Sequence, residues 1–507
     1  MSADRLPPNN PSFWIGSTPD TDYPMLAEDV SVDVAVIGGG IAGITAAYLL
    51  QQEGRSVAVL EADRIVRGVT GYTTAKISSS QGLIYAKLAK SFGEEGARIY
   101  GESNEAALAK IAELVGTLGI DCDFERQDNY VYTESDSEVE SIREEAELAA
   151  RLGLPAEFVT DSPLPYPIEG AVRFTNQAQF HPRKYLLALA DRISHAGGFI
   201  YENTKALDVE EGEPCRVETD RGTLTASDVI VATNMPFLDR GLFFTKVYPM
   251  RSYAVAGYVS DGMVASEGMH ISVESPTRST RLLRDGDRSL LMLGGEGHKT
   301  GQEADTEDRY RRLETDARAR FGLKSIDYRW STQDCVSIDD VPYIGRYTRH
   351  SDHLFTATGF RKWGMTNGTL GAMLLTDRIA GRENRWASFY DSKRLDVMQS
   401  APEFVKENLN VAQHWFGDRI TTPGEALEHV PAGEGTVIRR EGRAIAVYKE
   451  PDGTLRGLSA ICTHLACTVH WNNAEKSWDC PCHGSRFDLE GKVIQGPATE
   501  PLEPRDV

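Results

Sequence analysis

Four residues near the C-terminus have the types and the spacing of ligands for an iron–sulfur cluster with mixed ligands. One residue separates Cys462 from His464, two separate Cys480 from His483, and 15 lie between His464 and Cys480. Two thiolates can hold one iron of a [2Fe–2S] cluster, and two imidazoles can hold the other. Replacing two Cys ligands by His makes the cluster less negative and raises its reduction potential. The pattern therefore predicts a centre that transfers single electrons.

Two other metal sites use the same residue types but fit the spacing less well. A zinc ribbon needs four ligands in paired Cys-x2–4-Cys spacing, whereas this segment has six candidate Cys and His residues with a different spacing. A c-type haem site needs Cys-x-x-Cys-His, and the run from Cys480 to His483 is one residue short of it. The segment from Thr436 to the C-terminus, which includes Gly496-Pro497-Ala498, therefore resembles a Rieske iron–sulfur domain.

The resemblance implies roles for six residues of this segment. The positions that match the cluster ligands of the family are Cys462, His464, Cys480 and His483. Cys467 and Cys482 match the pair that forms a disulfide between the two cluster loops in respiratory-type members. Oxygenase-type members usually lack that pair, so the resemblance points to the respiratory type.

Two departures from the family pattern bear on the cluster. Ala466 stands where the family usually has Gly, which adds one methyl group to a tight loop. Phe487 stands where high-potential members have a Tyr whose hydroxyl donates to a ligand sulfur, while Ser485 keeps the other hydroxyl donor. Because hydrogen bonds to the cluster sulfurs raise the potential, the resemblance implies a potential below that of the cytochrome bc type.

A second set of elements, near the N-terminus, is suited to hold a dinucleotide. A buried-strand pattern over Val32–Ile37 leads directly into G-x-G-x-x-G at Gly38–Gly43, then into a helical run over Ile44–Gln52 and a strand over Ser56–Leu60. The first Gly permits a tight turn, the second lets a pyrophosphate approach the backbone, and the third lets the helix pack on the strand. Glu61, 23 residues after the first Gly, is placed to accept hydrogen bonds from the adenosine ribose.

Three later segments favour a flavin over a nicotinamide. Ala62–Lys76 is a loop of small and hydroxyl-bearing residues, and Asp228–Asn234 resembles the strand that returns to the dinucleotide domain. Phe355–Thr366 resembles a C-terminal flavin motif, in which a strand runs into a helix whose N-terminal N–H groups point at the flavin. From residue 32 to residue 382 the chain resembles the FAD-dependent amine and amino-acid oxidoreductases of the glycine oxidase, sarcosine oxidase and D-amino-acid oxidase superfamily.

That resemblance implies FAD as a cofactor and a set of positions that bind it. The implied positions are Gly38, Gly40, Ile41, Ala42, Gly43, Glu61, Ala62, Thr70, Thr73, Thr74, Ala75, Lys76, Thr233, Gly359, Trp363, Gly364, Met365 and Thr366. The presence of an FAD-binding part and a Rieske-like part in one chain resembles a bacterial group in which such a flavoprotein is fused to a Rieske domain.

Three residues are candidates for the chemistry on the substrate. Arg251 could clamp a substrate carboxylate, although an Arg between domains is the alternative. Tyr253 could hydrogen-bond a substrate amine, and a core Tyr is the alternative. Lys76 could lie near flavin N5 or the pyrimidine edge, where a positive charge favours reduced flavin, and a solvated Lys is the alternative. His298 is expected in a loop and outside the catalytic set.

Composition sets limits on the class of protein. A chain of 507 residues is expected to form two or three domains, and a net charge of −21 argues against nucleic acid and anionic membranes as partners. The longest uncharged apolar stretch, Val34–Leu50, has 17 residues and four Gly, which is short for a membrane span. The first 30 residues lack a basic start followed by an apolar run. We therefore expect a cytoplasmic protein.

The predicted fold is an α/β dinucleotide-binding, Rossmann-like FAD domain with an interleaved α+β substrate domain, followed by a small all-β Rieske domain. The oxidoreductase part is expected over residues 1–405, with FAD-binding parts at about 30–110, 165–240 and 330–385. A connector is expected over 406–420 and the Rieske domain over 421–507.

The predicted function is a flavoprotein dehydrogenase. FAD would accept a hydride from a C–N bond of an amine or amino acid, and the cluster would pass electrons singly to an acceptor protein. A simple oxidase returns two electrons directly to O₂ and gains nothing from a one-electron relay. The alternatives are an electron-transfer protein that serves a separate oxygenase or redox partner, and a redox sensor without turnover. Hydroxylation by the chain itself is not expected. It would need a mononuclear iron held by two His and a carboxylate, and no His-x4-His pair in the sequence stands beside an acidic residue.

Overall fold

The computed structural model describes residues 11–260, 267–394, 405–414 and 430–507. The strands, in chain order, are β1 (Val30–Ile37), β2 (Val57–Leu60), β3 (Lys76–Ile77), β4 (Glu125–Thr133), β5 (Ala156–Val159), β6 (Gly170–Gln179), β7 (Phe199–Tyr201), β8 (Ala206–Glu210), β9 (Cys215–Thr219), β10 (Thr223–Val231), β11 (Val247–Tyr258), β12 (Met269–Ser272), β13 (Arg278–Asp285), β14 (Arg288–Lys299), β15 (Tyr328–Ser337), β16 (Tyr343–Arg346), β17 (Leu354–Thr358), β18 (Gly435–Arg440), β19 (Arg443–Lys449), β20 (Leu455–Ser459), β21 (His470–Asn472), β22 (Ser477–Asp479), β23 (Arg486–Phe487) and β24 (Val493–Gln495).

The helices pack on the faces of these sheets. They are α1 (Phe13–Gly16), α2 (Ile41–Gln52), α3 (Ile84–Leu118), α4 (Val139–Arg151), α5 (Pro182–His195), α6 (Thr306–Phe321), α7 (Gly364–Ile379) and α8 (Ala387–Tyr390). Residues 405–414 are also helical. Among the residues that the structure describes, no helix is both long enough and apolar enough to cross a lipid bilayer.

An eight-stranded sheet forms the dinucleotide-binding layer. Its main path runs in the order β16-β17-β10-β1-β2-β7, and β1 is parallel to both β2 and β10. Val34, Ala35 and Val36 of the central strand are fully buried, as expected for a parallel strand covered on both faces. The strand, glycine turn and helix that the sequence predicts are present, and the predicted α/β FAD-binding fold is confirmed.

A nine-stranded sheet forms the second layer of the oxidoreductase part. It runs in the order β15-β11-β14-β13-β12-β4-β6-β3, with β5 paired to β6. Strand β11 pairs antiparallel with β14 on one side and with β15 on the other. The prediction that His298 lies in a loop is wrong, because β14 continues to Lys299 and includes it. Its ring nitrogen Nε2 is 2.8 Å from the Tyr253 hydroxyl, which holds this end of the strand in place.

The C-terminal domain is built from two small antiparallel sheets. One has the order β18-β19-β20 and the other β21-β22-β23-β24. Their shared core includes Trp478 and Phe487, both fully buried. The cysteine- and histidine-bearing loops follow β20 and β22, so that the two loops project from one end of the domain. The predicted all-β Rieske fold is confirmed.

The predicted connector over 406–420 lies only partly within the described ranges. Residues 395–404 and 415–429, on either side of the described helix over 405–414, lie outside them. The described helix over 405–414 contacts both halves of the chain, because Glu407 pairs with Lys299 at 2.5 Å and Val411 packs against the core of the C-terminal domain. The division at 405 and the connector over 406–420 therefore stay predictions.

Candidate redox site

A cavity of about 1110 Å³ is the principal candidate site for a cofactor and a substrate. It is lined by the glycine turn after β1, by the loop after β2, by β11 and β15, by the N-terminus of α7, and by residues of the C-terminal domain. Its volume lies slightly above the usual range for small-molecule pockets, as expected when a dinucleotide and a substrate share one space.

The glycine turn makes a tight cradle at one end of this cavity. A Cβ atom on Gly43 would lie 1.9 Å from the Gly38 carbonyl oxygen, and one on Gly38 would lie 2.5 Å from the Ala232 oxygen. A side chain at either position would therefore collide with backbone. The Glu61 carboxylate accepts a hydrogen bond from Gly39 N at 2.8 Å and lies on the cavity wall, and burial raises its pKa. This cradle fits the pyrophosphate and ribose of a dinucleotide.

The structure places most of the predicted FAD-binding residues on the cavity wall. Those on the wall are Gly38, Gly40, Ile41, Ala42, Glu61, Ala62, Thr70, Thr73, Thr74, Lys76, Thr233, Trp363, Gly364 and Met365. Gly43, Ala75, Gly359 and Thr366 are not on the wall. Thr366 is buried and accepts a hydrogen bond from Gln81, so its hydroxyl serves the packing of α7 rather than the cavity. Each of these four residues lies next to a wall residue in the sequence or one residue away from it, without lining the cavity itself.

Lys76 is buried at the cavity wall and is held by the second sheet. Its Nζ donates to the His270 carbonyl oxygen at 2.5 Å and to Ser279 Oγ at 2.7 Å. Burial and the nearby Arg281 guanidinium lower the pKa of Lys76 well below its usual value. The solvated alternative is therefore wrong, and the role of Lys76 beside the flavin stays a prediction.

Arg251 and Tyr253 lie on the side of β11 that faces away from most of the cavity. Met250, Ser252 and Ala254 line the cavity, and alternation along a strand points the intervening side chains to the other face. The Arg251 guanidinium hydrogen-bonds to Ser331 Oγ and lies 3.8 Å from a Glu475 carboxylate oxygen of the C-terminal domain. Arg251 is fully buried and absent from the cavity wall. The predicted substrate clamp is thus corrected to an Arg between domains.

Tyr253 has the packing of a core residue, although part of it reaches the cavity wall. Its ring makes an edge contact with Tyr310 of α6, with centroids 4.9 Å apart, and its hydroxyl lies 2.8 Å from His298 Nε2. A hydroxyl that already has this partner is poorly placed to bind a substrate amine. The core alternative for Tyr253 fits the structure better than the predicted role.

Lys362 is a cavity residue that the sequence reasoning missed. Its side chain lies within the cavity with its surface exposed to that space, and Nζ lies 2.8 Å from the position a Cβ would take on Gly297. Burial lowers the pKa of Lys362 to about 8, and burial raises the pKa of the neighbouring Asp334 carboxyl to about 6. The Asp334 carboxylate accepts a hydrogen bond from Lys362 N at 2.5 Å. In the sequence, the only indication that Lys362 lies in the cavity was its position just before Trp363-Gly364.

The backbone around Lys362 is unusual. Arg361 and Lys362 have φ angles of 54° and 69°, in the left-handed region that non-glycine residues seldom adopt. Such residues cost about 1–3 kcal/mol each and cluster at functional sites. The strained turn directs a cationic side chain into the cavity immediately before the N-terminus of α7, where the helix dipole adds positive potential.

The four predicted cluster ligands converge at one end of the C-terminal domain. The His464 and His483 rings are 5.0 Å apart, and Cys462 and Cys480 are buried free thiols. A hydrogen bond between the two thiols lowers the pKa of Cys462 to about 7 and raises that of Cys480. His483 Nδ1 is buried and has no hydrogen-bond partner among the described residues. Two free thiols beside each other and an imidazole nitrogen without a partner among the described residues fit the ligand set of a mixed [2Fe–2S] cluster.

Cys467 and Cys482 are joined by a disulfide between the two ligand loops. The sulfur atoms of these two residues and of Cys480 lie within 4.8 Å of one another. Because the disulfide uses two of these sulfurs, Cys480 is the member of this group that remains able to bind metal. Ala466 adopts a left-handed φ of 58° in the first loop, which is the conformation that the Gly of related domains would favour.

The histidine edge of the cluster site lies against the oxidoreductase part of the chain. His464 Nε2 is 2.9 Å from Asp239 Oδ1, which leaves Nδ1 for a metal. The Phe244 ring lies 5.5 Å from the His464 ring and 5.3 Å from the His483 ring. The His464 side chain is only 5% exposed, and His483 as a whole residue is also 5% exposed. Sequence reasoning found neither contact residue, because Asp239 and Phe244 carry no motif.

Two family models match the chain. The model described as FAD dependent oxidoreductase matches residues 33–378, and the model described as Rieske [2Fe-2S] domain matches residues 424–505. The chain is 37% identical over 498 residues to the "Putative Rieske 2Fe-2S iron-sulfur protein YhfW" of Bacillus subtilis (strain 168), which covers 98% of this chain and 97% of that protein.

Other similarities cover the oxidoreductase part. The gamma-glutamylputrescine oxidoreductase of Escherichia coli (strain K12) is 27% identical over 401 residues, which is 75% of this chain and 89% of that protein. The crystal structure of glycine oxidase from Geobacillus kaustophilus superposes with a TM-score of 0.61 at 18% identity, over 72% of this chain and 99% of that chain. At that identity, the likeness to glycine oxidase shows the fold alone.

Proposed function

Because the chain belongs to the FAD-dependent oxidoreductase family and ends in a Rieske [2Fe–2S] domain, we propose that it is a dehydrogenase acting on a C–N bond. The substrate is an amine or an amino acid, and the electrons leave through the cluster to a one-electron acceptor protein in the cytoplasm. FAD supplies the hydride acceptor for such a reaction, and the cluster supplies a one-electron carrier.

The position of the two cluster histidines is the observation that carries this proposal. Their rings contact Asp239 and Phe244, which follow directly on the cavity residues Asn234, Met235 and Phe237. One short segment of chain thus joins the wall of the flavin cavity to the histidine edge of the cluster site. An arrangement in which the cluster served only as a structural element would not need its ligands at this interface.

The cavity itself supports a substrate with a carboxylate as well as an amine. Lys362 projects a cation into the cavity from the turn before α7, while Arg251 is absent from the cavity wall. A hydrogen bond from an ammonium to a carboxylate is a strong, charge-assisted contact. The relatives named above include an oxidoreductase of gamma-glutamylputrescine, whose name supports an amine or amino-acid substrate.

Anaerobic reduction by candidate substrates tests the proposal directly. We expect a panel of amines and amino acids to contain a compound that bleaches the flavin absorbance first and the cluster absorbance second, whereas NADH bleaches neither. Reduction by NADH, with no response to any amine, would instead favour the electron-transfer protein that serves a separate oxygenase. If neither kind of reductant acts and only dithionite reduces both centres, the redox-sensor alternative replaces the dehydrogenase.

Replacing Lys362 by Met is expected to weaken binding of a simple carboxylate, such as acetate, by about tenfold or more, since a hydrogen bond to a charged group contributes about 1.5–3 kcal/mol. Because the pKa of Lys362 is lowered to about 8, the ammonium is present below that pH and is lost above it. Acetate affinity of the parent protein should therefore fall as the pH rises through 8, and that of the variant should not.

Titration of the flavin absorbance with acetate at several pH values measures this affinity. Lys110→Met is the matched control, because Lys110 lies on α3, pairs with Glu113 and is absent from the cavity wall. Equal acetate affinity in the parent and in Lys362→Met, with no pH dependence in either, would remove Lys362 from the substrate site.

A further inference from the structure

The C-terminal domain forms part of the wall of the FAD cavity. Strand β24 and the loop after it contribute six wall residues, which we call the covering segment: Val493, Ile494, Gln495, Gly496, Ala498 and Thr499. These residues belong to the same cavity as the glycine turn after β1. A cofactor in this cavity is therefore enclosed by two domains that are far apart in the sequence.

The covering segment lies at the adenosine end of the cavity. Thr204 N donates to the Glu61 carbonyl oxygen at 2.9 Å, which fixes residues 203–206 beside the acid placed for the ribose. The next residue, Lys205, lines the cavity, and its Nζ donates to the Thr499 carbonyl oxygen. The segment thus meets the oxidoreductase part next to the ribose acid.

Close contacts elsewhere hold the C-terminal domain in this position. A Cβ atom on Gly301 would lie 2.8 Å from Pro481 N, and one on Gly484 would lie 2.5 Å from a Pro249 side-chain atom. Thr306 N donates to the Asn473 side chain at 2.9 Å, at the first turn of α6. A side chain at either glycine would collide with the facing domain, so the two domains are closely packed against each other here.

We propose that docking of the Rieske domain and binding of FAD are one coupled equilibrium, in which the covering segment closes the cavity over the adenosine half of the dinucleotide. Each event then stabilises the other by the same factor, as thermodynamic linkage requires. FAD cannot leave while the domain is docked, so that flavin is retained together with its electron acceptor. The domain has a second role as a wall of the flavin site, which does not depend on the substrate that the flavin oxidises.

A pair of glycine variants with equal backbone strain tests the coupling. Gly301 and Gly322 have φ angles of 70° and 71°, but a Cβ on Gly322 would meet nothing within 4 Å. We expect Gly301→Ala to speed the release of FAD by about tenfold, within the usual range of coupling between sites, and Gly322→Ala to leave it unchanged. Release is measured as the recovery of free-flavin fluorescence after dilution of the full-length protein, with the visible spectrum of the cluster recorded to show that it is retained.

Hydrogen exchange on the parent protein tests the same proposal without any substitution. We expect FAD to slow exchange over residues 493–499 relative to the flavin-free protein, and FMN, which lacks the adenosine monophosphate half, to leave this segment unprotected. Protection of residues 493–499 by FMN equal to that by FAD would place the segment away from the adenosine. Two results together would overturn the coupling. They are an exchange rate over residues 493–499 that is the same with and without FAD, and an equal rate of FAD release from the parent and from Gly301→Ala.

Discussion

Replacing His464 by Ala is expected to abolish turnover with a one-electron acceptor protein while leaving reduction of the flavin by substrate intact. The substitution removes one iron ligand, so that the mixed-ligand cluster loses half of its imidazole ligation. His464 is absent from the cavity wall, so the substitution removes no contact to FAD or substrate, and FAD added in excess keeps the flavin site occupied where loss of the Asp239 contact weakens docking. The measurement is anaerobic flavin bleaching in parallel with steady-state reduction of cytochrome c.

An exposed histidine provides the matched control for this experiment. His195 lies in the last turn of α5 with 76% of its side chain exposed, so that His195→Ala should match the parent in both assays. A dye that takes electrons directly from flavin should still be reduced by the His464 variant. If the variant reduces cytochrome c as fast as the parent, the cluster is not on the electron path and its role is structural.

Replacing Gly43 by Ala should abolish FAD binding and strongly destabilise the dinucleotide-binding domain. A Cβ at this position would lie 1.9 Å from the Gly38 carbonyl oxygen and 3.2 Å from a Val36 side-chain carbon, so α2 must move away from β1. Overpacking of this kind costs about 1–3 kcal/mol or more, and here the displaced backbone is the glycine turn itself. FAD content of the purified protein and thermal unfolding measure the two effects.

Gly116 offers a control with the same substitution in a helix. It lies in α3, and a Cβ there would meet nothing within 4 Å. Gly116→Ala should keep the FAD content of the parent and raise the stability slightly, because Ala has the higher helix propensity. Full FAD occupancy in Gly43→Ala would show that the dinucleotide does not use this turn.

The two cofactor sites could be predicted from the sequence because their requirements are local. A pyrophosphate needs glycines at fixed offsets between a strand and a helix, and these positions form the cradle at Gly38–Gly43. The Cys and His spacing likewise indicates which residues of two short loops face one cluster, and the rings of His464 and His483 lie 5.0 Å apart in the structure. Backbone geometry within a few residues decides both features.

The residues that face the substrate could not be found in this way. Strand alternation alone would allow Arg251 to face either side of β11, and only the pairing of β11 with β15 and the docking of the C-terminal domain turn it towards Glu475. Lys362 reaches the cavity because two consecutive residues adopt left-handed backbone, a conformation that their types do not favour. Packing of distant elements overrides the local preference at both positions.

By itself the sequence determined which two redox groups the chain is built to hold, since each is bound by a motif contained in one short segment. The tertiary structure alone decided how the two sites meet. His464 contacts Asp239 across a separation of 225 residues, and Lys205 contacts Thr499 across 294. No local pattern encodes such contacts, because they depend on the complementary surfaces of two folded domains, and surface shape is a property of the whole packed chain.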